Sequence, residues 1–297
     1  MDCTVIHDEW PANQACWVPM DDGTRLMAEW STAPRADRTI IMIHGCGEHG
    51  QRYQHVAAGC VQAGWNVLTL DLRGHGRSEG TATHVRRFAE YVDDLETVIG
   101  HFGLVASRTV LMGHSMGGLV ALRFAQTYAD RVAALVAVSP LLRLQVAVSR
   151  WVLVVGWLMS VVAPRTRFRS RVPPEHTTRS AEVLERRAQD TRIHRSVTAG
   201  CFFAMRDGMQ RAWTDSGRLQ LPMLVLQAGQ DRIADPAATE AWLRQIPSPD
   251  KSFMLLADDF HEVLNEPEWR QTLVHVLQWL ETRVPKTAPA NGSAGDA

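Results

Sequence analysis

Ser115 is the residue whose surroundings most clearly predict chemistry. It lies in Gly-His-Ser-Met-Gly-Gly, between an apolar run at 109–112 and a helix-like stretch at 119–128. A serine on a sharp turn from strand to helix needs small residues two positions away on each side, and Gly113 and Gly117 meet that demand. The pattern predicts a nucleophilic serine whose hydroxyl projects from the sheet edge. The positive end of the next helix would face any anion formed there.

A serine nucleophile needs a base, and the base needs a carboxylate that orients it. In this strand–turn–helix architecture the carboxylate follows a later strand and the histidine follows the last one. Asp231 comes soon after the apolar run 223–227, and His261 follows the last run at 252–257. They are predicted as the orienting acid and the general base. Asp235 is an alternative to Asp231, but it precedes a proline and better suits a helix N-cap.

Two backbone N–H groups usually hold the oxyanion of an acyl-transfer reaction, one after the nucleophile and one in a loop after an early strand. The amides of Met116 and Cys46 stand at these positions. Only the amide of Cys46 is expected to act, because nothing local supplies the base or positive field that a reactive thiolate needs.

Strands and helices in alternation must position these residues. Short apolar runs are typical of strands buried on both faces of a parallel sheet, and amphipathic helical spacing separates them. We therefore expect a parallel sheet covered on both faces. A hairpin around 21–24 is predicted at the start. The predicted strands are 39–43, 65–70, 109–112, 132–138, 223–227 and 252–257, and the clearest helices lie within 85–102 and 269–280.

The alternation stops in the middle of the chain, where no clear strand is expected. Residues 140–220 are therefore predicted as a helical cap inserted into one core. The core would comprise 1–139 and 221–284, and a disordered tail would occupy 285–297.

Composition narrows the class of protein. Among 297 residues, 45% are hydrophobic and 21% charged, as in soluble globular proteins. The net charge of −1 gives no electrostatic reason to expect nucleic acid as a partner. Five scattered cysteines and the absence of a secretory signal favour a reducing, cytoplasmic location.

His44, His49 and His55 lack the spacing of metal ligands, so no metal and no cofactor are predicted. The sequence leaves the oligomeric state open.

The apolar stretch at 151–163 is too short to span a bilayer, which takes about 20 residues. It is predicted to be a cap helix that lines an acyl-chain tunnel and touches lipid surfaces. The alternative is a helix buried against the sheet edge. Arginines at 165, 167, 169 and 171 follow it, either as a phosphate-binding patch or as a solvated face.

Five blocks of sequence occur in a characteristic order: HGCGEHGQRY at 44–53, DLRGHGRS at 71–78, GHSMGG at 113–118, QDRIADP at 230–236 and HEVLNE at 261–266. Together they resemble the monoacylglycerol lipase and lysophospholipase group of α/β-hydrolases. The resemblance runs from about 16 to 283, although the cap is poorly matched. It implies an α/β-hydrolase fold, Ser115 as nucleophile, Asp231 and His261 as its partners, the amides of Cys46 and Met116 as oxyanion donors, and fatty-acid monoesters as substrates.

The chain is therefore expected to hydrolyse carboxylic esters of apolar acyl chains, with the cap in transient contact with membrane surfaces. Acyl transfer to an alcohol other than water would use the same three residues, as would a peptidase or amidase. A binding protein that had lost catalysis is a further alternative from another class. Complete nucleophile, base and carboxylate positions argue against it.

Overall fold

The computed structural model describes residues 3–5, 14–146, 148–170 and 172–286. Its centre is a nine-stranded sheet in the order β1-β2-β3-β5-β4-β6-β7-β10-β11. The pairs from β1 to β5 are antiparallel, and the pairs from β5 to β11 are parallel. These strands are β1 (Cys3–Val5), β2 (Gln14–Pro19), β3 (Arg25–Ser31), β4 (Thr39–Ile43), β5 (Asn66–Leu70), β6 (Thr109–His114), β7 (Ala134–Val138), β10 (Met223–Ala228) and β11 (Lys251–Leu256).

Helices cover both faces of this sheet. The side chains of β4 alternate between the two cores, with Ile41 and Ile43 on one face and Ile40 and Met42 on the other. The first core packs against α2, α3, α6 and α7, and the second against α1 and α8. The helices are α1 (Gln54–Gln62), α2 (Ala89–His101), α3 (Met116–Thr127), α4 (Arg150–Val162), α5 (Ala181–Gln189), α6 (Ala199–Thr214), α7 (Pro236–Gln245) and α8 (Trp269–Glu281).

The mostly parallel sheet with helices on both faces confirms the fold predicted from the sequence. All six predicted strands and the first hairpin are present; six of the twelve strand ends coincide with the prediction, and the other six differ by one or two residues. In the hairpin turn Gly23 has a φ of +84°, a conformation that a residue without Cβ adopts at little cost.

The middle of the chain, between β7 and β10, holds α4, α5 and α6 together with two short strands, β8 (Arg167–Arg169) and β9 (Ser196–Thr198). The expectation of no strand in this stretch is wrong, since β8 and β9 pair antiparallel. Both are three residues long, and β8 is exposed throughout, so they lack the apolar run that marks the central strands.

This middle region lies over the loops that follow the parallel strands. The backbone N–H of His194 donates to the carbonyl of Gly47 at 2.8 Å, and that of Glu262 donates to the carbonyl of Thr177 at 2.7 Å. The division into core, cap and tail stays a prediction, and positions 287–297 lie outside the described residues. No helix in the described part of the chain is both long enough and apolar enough to cross a bilayer.

Candidate functional site

Ser115 lies at the turn between β6 and α3 with a φ of +54° and a ψ of −116°. A non-glycine residue in this region stores strain of about 1–3 kcal/mol, and such strain concentrates at functional sites. Gly117 allows the turn to be tight, because a Cβ there would lie 2.2 Å from the carbonyl oxygen of Ile43. The N–H of Ser115 donates to Val138 at 2.9 Å, which fixes the turn to the neighbouring strand.

Asp231 and His261 meet above the same sheet edge. The Nδ1 atom of His261 lies 2.7 Å from Oδ2 of Asp231, and both side chains are buried. The other carboxylate oxygen of Asp231 accepts the backbone N–H groups of Ile233 at 2.8 Å and Ala234 at 2.9 Å. The carboxylate is thus held on one side by the backbone and turned towards the imidazole on the other.

The charges of this pair stabilise each other. Burial alone would raise the pKa of Asp231, but the adjacent His261 and the two N–H donors outweigh it and lower that pKa. Burial alone would lower the pKa of His261, but the Asp231 carboxylate, with Glu262 and Glu48 at longer range, raises it above its ordinary value. An imidazole with this environment accepts a proton more readily than a free one.

Asp235 is not the partner of His261. Its side chain accepts the N–H of Ala238 at 3.1 Å as the N-cap of α7, and it also pairs with Arg143. The structure therefore places the two candidate carboxylates in different environments, and only Asp231 contacts the imidazole.

His114 connects Ser115 to the histidine loop. Its ring lies 4.8 Å from the ring of His261, and its Nε2 lies 3.2 Å from the His261 carbonyl oxygen. The side-chain hydrogen bonds of the described residues include the Asp231–His261 pair but none from Ser115 Oγ. In ligand-free enzymes the bond between nucleophile and base is often long and tightens only with substrate.

The loop after β4 passes directly over Ser115. A Cβ on Gly45 would lie 3.2 Å from the Ser115 Cβ and 2.8 Å from Oε1 of Glu48, so the approach leaves little room for a side chain. Oε1 of Glu48 accepts the N–H of Gly45 at 2.6 Å. Cys46 follows in this loop and is exposed, and Met116 begins α3 directly after Ser115. The two predicted amide donors therefore lie on the two segments that contact Ser115.

A buried charge network beneath this loop was not predicted from the sequence. Glu48 also contacts Arg52, the hydroxyl of Tyr53 at 2.8 Å and Nδ1 of His114 at 3.2 Å. Arg52 in turn donates to Glu262 at 2.6 Å. Burial alone would raise the pKa of Glu48, but the neighbouring Arg52 and His114 lower it by more. The pKa of this carboxyl is therefore well below its ordinary value. The sequence feature that could have indicated this network is the HGCGEHGQRY block, since it places Glu48, Arg52 and Tyr53 shortly after a buried strand.

The segment 187–194 contacts the same loop, and the loop of His261, through charged side chains. Nε2 of His49 lies 2.6 Å from Oδ2 of Asp190, and Arg187 donates to Glu262 at 3.0 Å. Arg192 contacts the side chain of Gln51. The segment 187–194 therefore holds the loop on which Cys46 lies.

A groove of about 640 Å³ lies between α4 and α6. None of Ser115, Asp231 and His261 lines it. Its lining includes Leu142, and the N–H of the preceding residue, Leu141, donates to the backbone carbonyl of Ser115 at 3.0 Å. The lining is mostly apolar, with several charged or polar residues: Leu142, Arg143, Leu144, Val146, Val148, Leu153, Trp157, Phe202, Phe203, Arg206, Asp207, Met209, Gln210 and Trp213.

The outer face of α4 is an exposed apolar surface. Only Gly156 of this helix is buried, and a Cβ there would lie 3.2 Å from Phe203 of α6. The alternative of a helix buried against the sheet edge is therefore wrong. The exposed fractions reach 79% at Trp151, and the other exposed large apolar residues are Val152, Val154, Val155, Trp157, Leu158, Val161 and Val162.

Arg73 and two of the histidines lie in loops near the site. The guanidinium of Arg73 pairs with the carboxylates of Asp94 and Asp22, each at 2.5 Å. The imidazole of His44 accepts the N–H of Leu72, while His55 contacts the Leu264 carbonyl. These two histidines therefore bond to different parts of the protein.

Comparisons with known proteins agree with this architecture. The family described as serine aminopeptidase, S33 matches residues 34–268. The monoacylglycerol lipase of Mycolicibacterium smegmatis is 29% identical over 268 residues, which cover 87% of this chain and 93% of that protein. The phospholipase YtpA of Bacillus subtilis is 29% identical over 239 residues, covering 79% of this chain and 92% of that protein.

An uncharacterized abhydrolase domain-containing protein of Dictyostelium discoideum is 28% identical over 273 residues, but the chain spans only 28% of its length. Among solved structures, the monoacylglycerol lipase of Paleococcus ferrophilus superposes with a TM-score of 0.81 at 25% identity. That alignment covers 87% of this chain and 99% of the other. The predicted resemblance to monoacylglycerol lipases is confirmed.

Proposed function

Since this chain belongs to the serine aminopeptidase, S33 family of α/β-hydrolases, we propose that it hydrolyses esters of apolar acyl chains through an acyl-enzyme on Ser115. It is a carboxylic ester hydrolase like the lipases to which it is similar. The observation that carries the proposal is the buried, hydrogen-bonded Asp231–His261 pair, together with a serine held at positive φ in the turn between β6 and α3.

In the proposed mechanism, Ser115 Oγ attacks the ester carbonyl and Nε2 of His261 takes the hydroxyl proton. Asp231 holds the imidazole through Nδ1 and stabilises its charged form. The amides of Cys46 and Met116 donate to the tetrahedral oxyanion, and the N-terminus of α3 adds its dipole. His261 then protonates the leaving alcohol. Water repeats the sequence on the acyl-enzyme, which releases the fatty acid and restores Ser115.

Replacement of the nucleophile tests the assignment. We expect Ser115→Ala to keep the fold and to lose ester hydrolysis by several orders of magnitude. The same variant should no longer react with a fluorophosphonate probe. Ser216→Ala, in the loop after α6, is the matched control and should react as the wild type does. Wild-type turnover or labelling in Ser115→Ala would contradict the proposal.

We also propose that the acyl chain lies in the groove between α4 and α6. The apolar side chains of Leu153 and Phe202 line it, and its lining residue Leu142 follows Leu141, whose N–H donates to the Ser115 carbonyl. Leu153→Trp should fill the groove and reduce hydrolysis of p-nitrophenyl palmitate far more than that of the acetate. Val274→Trp, at an exposed position of α8, should change neither. Equal losses on both esters in Leu153→Trp would exclude this groove as the acyl site.

The exposed face of α4 is proposed to dock on an anionic lipid surface. Full removal of a Val or Leu side chain from water is favourable by about 1.5–3 kcal/mol, and Arg165 and Arg167 next to the helix are exposed. We expect sedimentation with phosphatidylglycerol vesicles, with weaker binding to phosphatidylcholine. Val155→Asp should abolish it, whereas Val274→Asp should not. Unchanged vesicle binding in Val155→Asp would exclude α4.

The description of the family as aminopeptidases favours one second activity, peptide hydrolysis with the same residues. Aminoacyl p-nitroanilides measured beside monoacylglycerols and lysophosphatidylcholine separate the two. Faster turnover of the anilides would make peptide hydrolysis the main activity.

A further inference from the structure

A short segment before α5 is bound to the loop that carries His261. This loop comprises residues 259–266, and we call it the histidine loop. Thr178 Oγ1, in the segment, donates to the carbonyl oxygen of Asn265, in the loop, at 3.0 Å. The next residue of the segment is Arg179, whose half-buried side chain extends the contact along the loop.

The guanidinium of Arg179 contacts both ends of the histidine loop. Its Nε donates to Oε2 of Glu266 at 2.9 Å, and one terminal nitrogen donates to Oδ1 of Asp259, also at 2.9 Å. The other carboxylate oxygen of Glu266 accepts the N–H of Phe260 at 3.0 Å. Glu266 thereby joins the two ends of the loop, and Arg179 fixes Glu266.

Three carboxylates converge on this guanidinium. The nitrogen that contacts Asp259 also donates to Glu268 at 2.6 Å, and one oxygen from each of the three carboxylates lies within 4.8 Å of the others. Glu266 is buried, and burial raises its pKa. Burial and the negative charge of Glu266 raise the pKa of Asp259 to about 6, although Arg179 opposes them. The carboxylates therefore depend on the cation in order to lie together.

We propose that Arg179 is a positioning residue for His261, because it holds the histidine loop in the conformation that brings the imidazole to Asp231. The inference rests on the proposed function, which makes His261 the general base. The contact at stake is the 2.7 Å hydrogen bond between Nδ1 of His261 and Oδ2 of Asp231. The side-chain hydrogen bonds of Arg179 in the described chain go to the loop ends and to Glu268, so it acts on the imidazole through the loop.

Replacement of Arg179 should affect turnover more than substrate binding. We expect Arg179→Met to lower kcat for ester hydrolysis about 100-fold, since a displacement of about 1 Å in an active site has an effect of that size. KM should change little, because no residue of the histidine loop lines the groove proposed for the acyl chain. Arg186→Met, at an exposed pair with Glu182 in α5, is the matched control and should resemble the wild type. A rise in KM at unchanged kcat would overturn the proposal.

The pH profile separates positioning from general stabilisation. When the imidazole moves away from Asp231, burial lowers its pKa, so the acid limb of kcat/KM in Arg179→Met should move to lower pH. Loss of one positive charge alone would move the limb to higher pH. An unchanged limb or a shift to higher pH would therefore contradict the proposal. The titratable groups that face His261 are the same in this variant: Asp231, Glu262, Glu48 and His114.

Proton NMR gives a readout that needs no turnover. The Nδ1 proton between His261 and Asp231 should give a downfield resonance, which is assigned by its loss in His261→Ala. Arg179→Met should broaden or abolish this resonance, and Arg186→Met should keep it. An unchanged resonance in Arg179→Met would refute the positioning role. Failure of the proposed function is distinguishable, because the wild type would then lack ester hydrolysis while the resonance still reports the position of His261.

Arg179→Lys provides a second variant if Arg179→Met does not fold. Lysine keeps a positive charge beside the buried Glu266, but it lacks the planar fork that contacts Glu266 and Asp259 together. We expect a smaller loss of kcat and a smaller shift of the acid limb, in the same directions. Wild-type kcat and pH dependence in a folded Arg179→Lys would overturn the role of the guanidinium.

Discussion

Replacement of Asp231 by asparagine is the sharpest test of the proposed site, since the structure fixes how the new side chain would lie. The Ile233 and Ala234 N–H groups require an acceptor, so the amide oxygen of the asparagine takes the place of Oδ1. The amide NH₂ then faces Nδ1 of His261 at the position where Oδ2 now lies. Nδ1 becomes an acceptor and Nε2 carries the proton, which is the wrong form to deprotonate Ser115.

The expected loss in kcat/KM is about 10³- to 10⁴-fold, because an imidazole that carries its proton on Nε2 cannot accept the proton of the serine in a serine–histidine–aspartate arrangement. At about 1.36 kcal/mol per factor of ten, this is about 4–5.5 kcal/mol of transition-state stabilisation. The pH dependence should also change. His261 acts as a base only when neutral, so kcat/KM rises with pH through its pKa. Asp231 raises that pKa against the effect of burial, so without the carboxylate the acid limb should move to lower pH.

The assay is hydrolysis of a p-nitrophenyl ester across the pH range, with circular dichroism to confirm folding. Asp235→Asn is the matched control, because asparagine caps a helix as well as aspartate does and the Arg143 partner is largely exposed. It should keep wild-type kcat/KM. Activity of Asp231→Asn within tenfold of wild type, or an equal loss in Asp235→Asn, would refute the assignment of Asp231.

Two further predictions concern stability. Arg52→Met should lower the free energy of unfolding by about 3–5 kcal/mol in urea titrations, because it leaves two buried carboxylates without their shared cation. Arg186→Met, at an exposed pair, should change the free energy of unfolding by less than about 0.5 kcal/mol. Equal losses of stability in the two variants would contradict the network. Gly117→Ala should prevent normal folding, since its Cβ would meet backbone oxygen at 2.2 Å, whereas Gly217→Ala has nothing within 4 Å and should melt like the wild type. A folded Gly117→Ala with unchanged melting temperature would contradict this packing.

The strands were predictable because a parallel strand buried on both faces is a continuous apolar run. Thr39–Ile43 is predicted with the bounds that the structure has. Chain order also predicted that Asp231 and His261 would lie at one edge, and the two side chains do meet there. The short strands β8 and β9 have no such run, since Arg167–Arg169 is exposed and each strand is too short for alternation to show.

The charge network could not be predicted from single residues. In the sequence, Glu48 and Glu262 are indistinguishable from solvated surface charges, and only the fold shows that Arg52 lies between them. Arg73 illustrates the same limit, because its carboxylate partners come from a hairpin and a helix distant in sequence. Long-range ion pairs follow from topology, which local patterns do not specify.

The contacts from His49 to Asp190 and from Glu262 to Arg187 have a consequence for engineering. The segment 187–190 is not an interchangeable module, because its side chains complete contacts whose other halves lie elsewhere in the chain. A chimaera that exchanged only this segment with a homologue would leave His49 without Asp190 and Glu262 with only one of its two arginines. Transfer of substrate preference between such enzymes therefore requires both halves of each pair to be transplanted together.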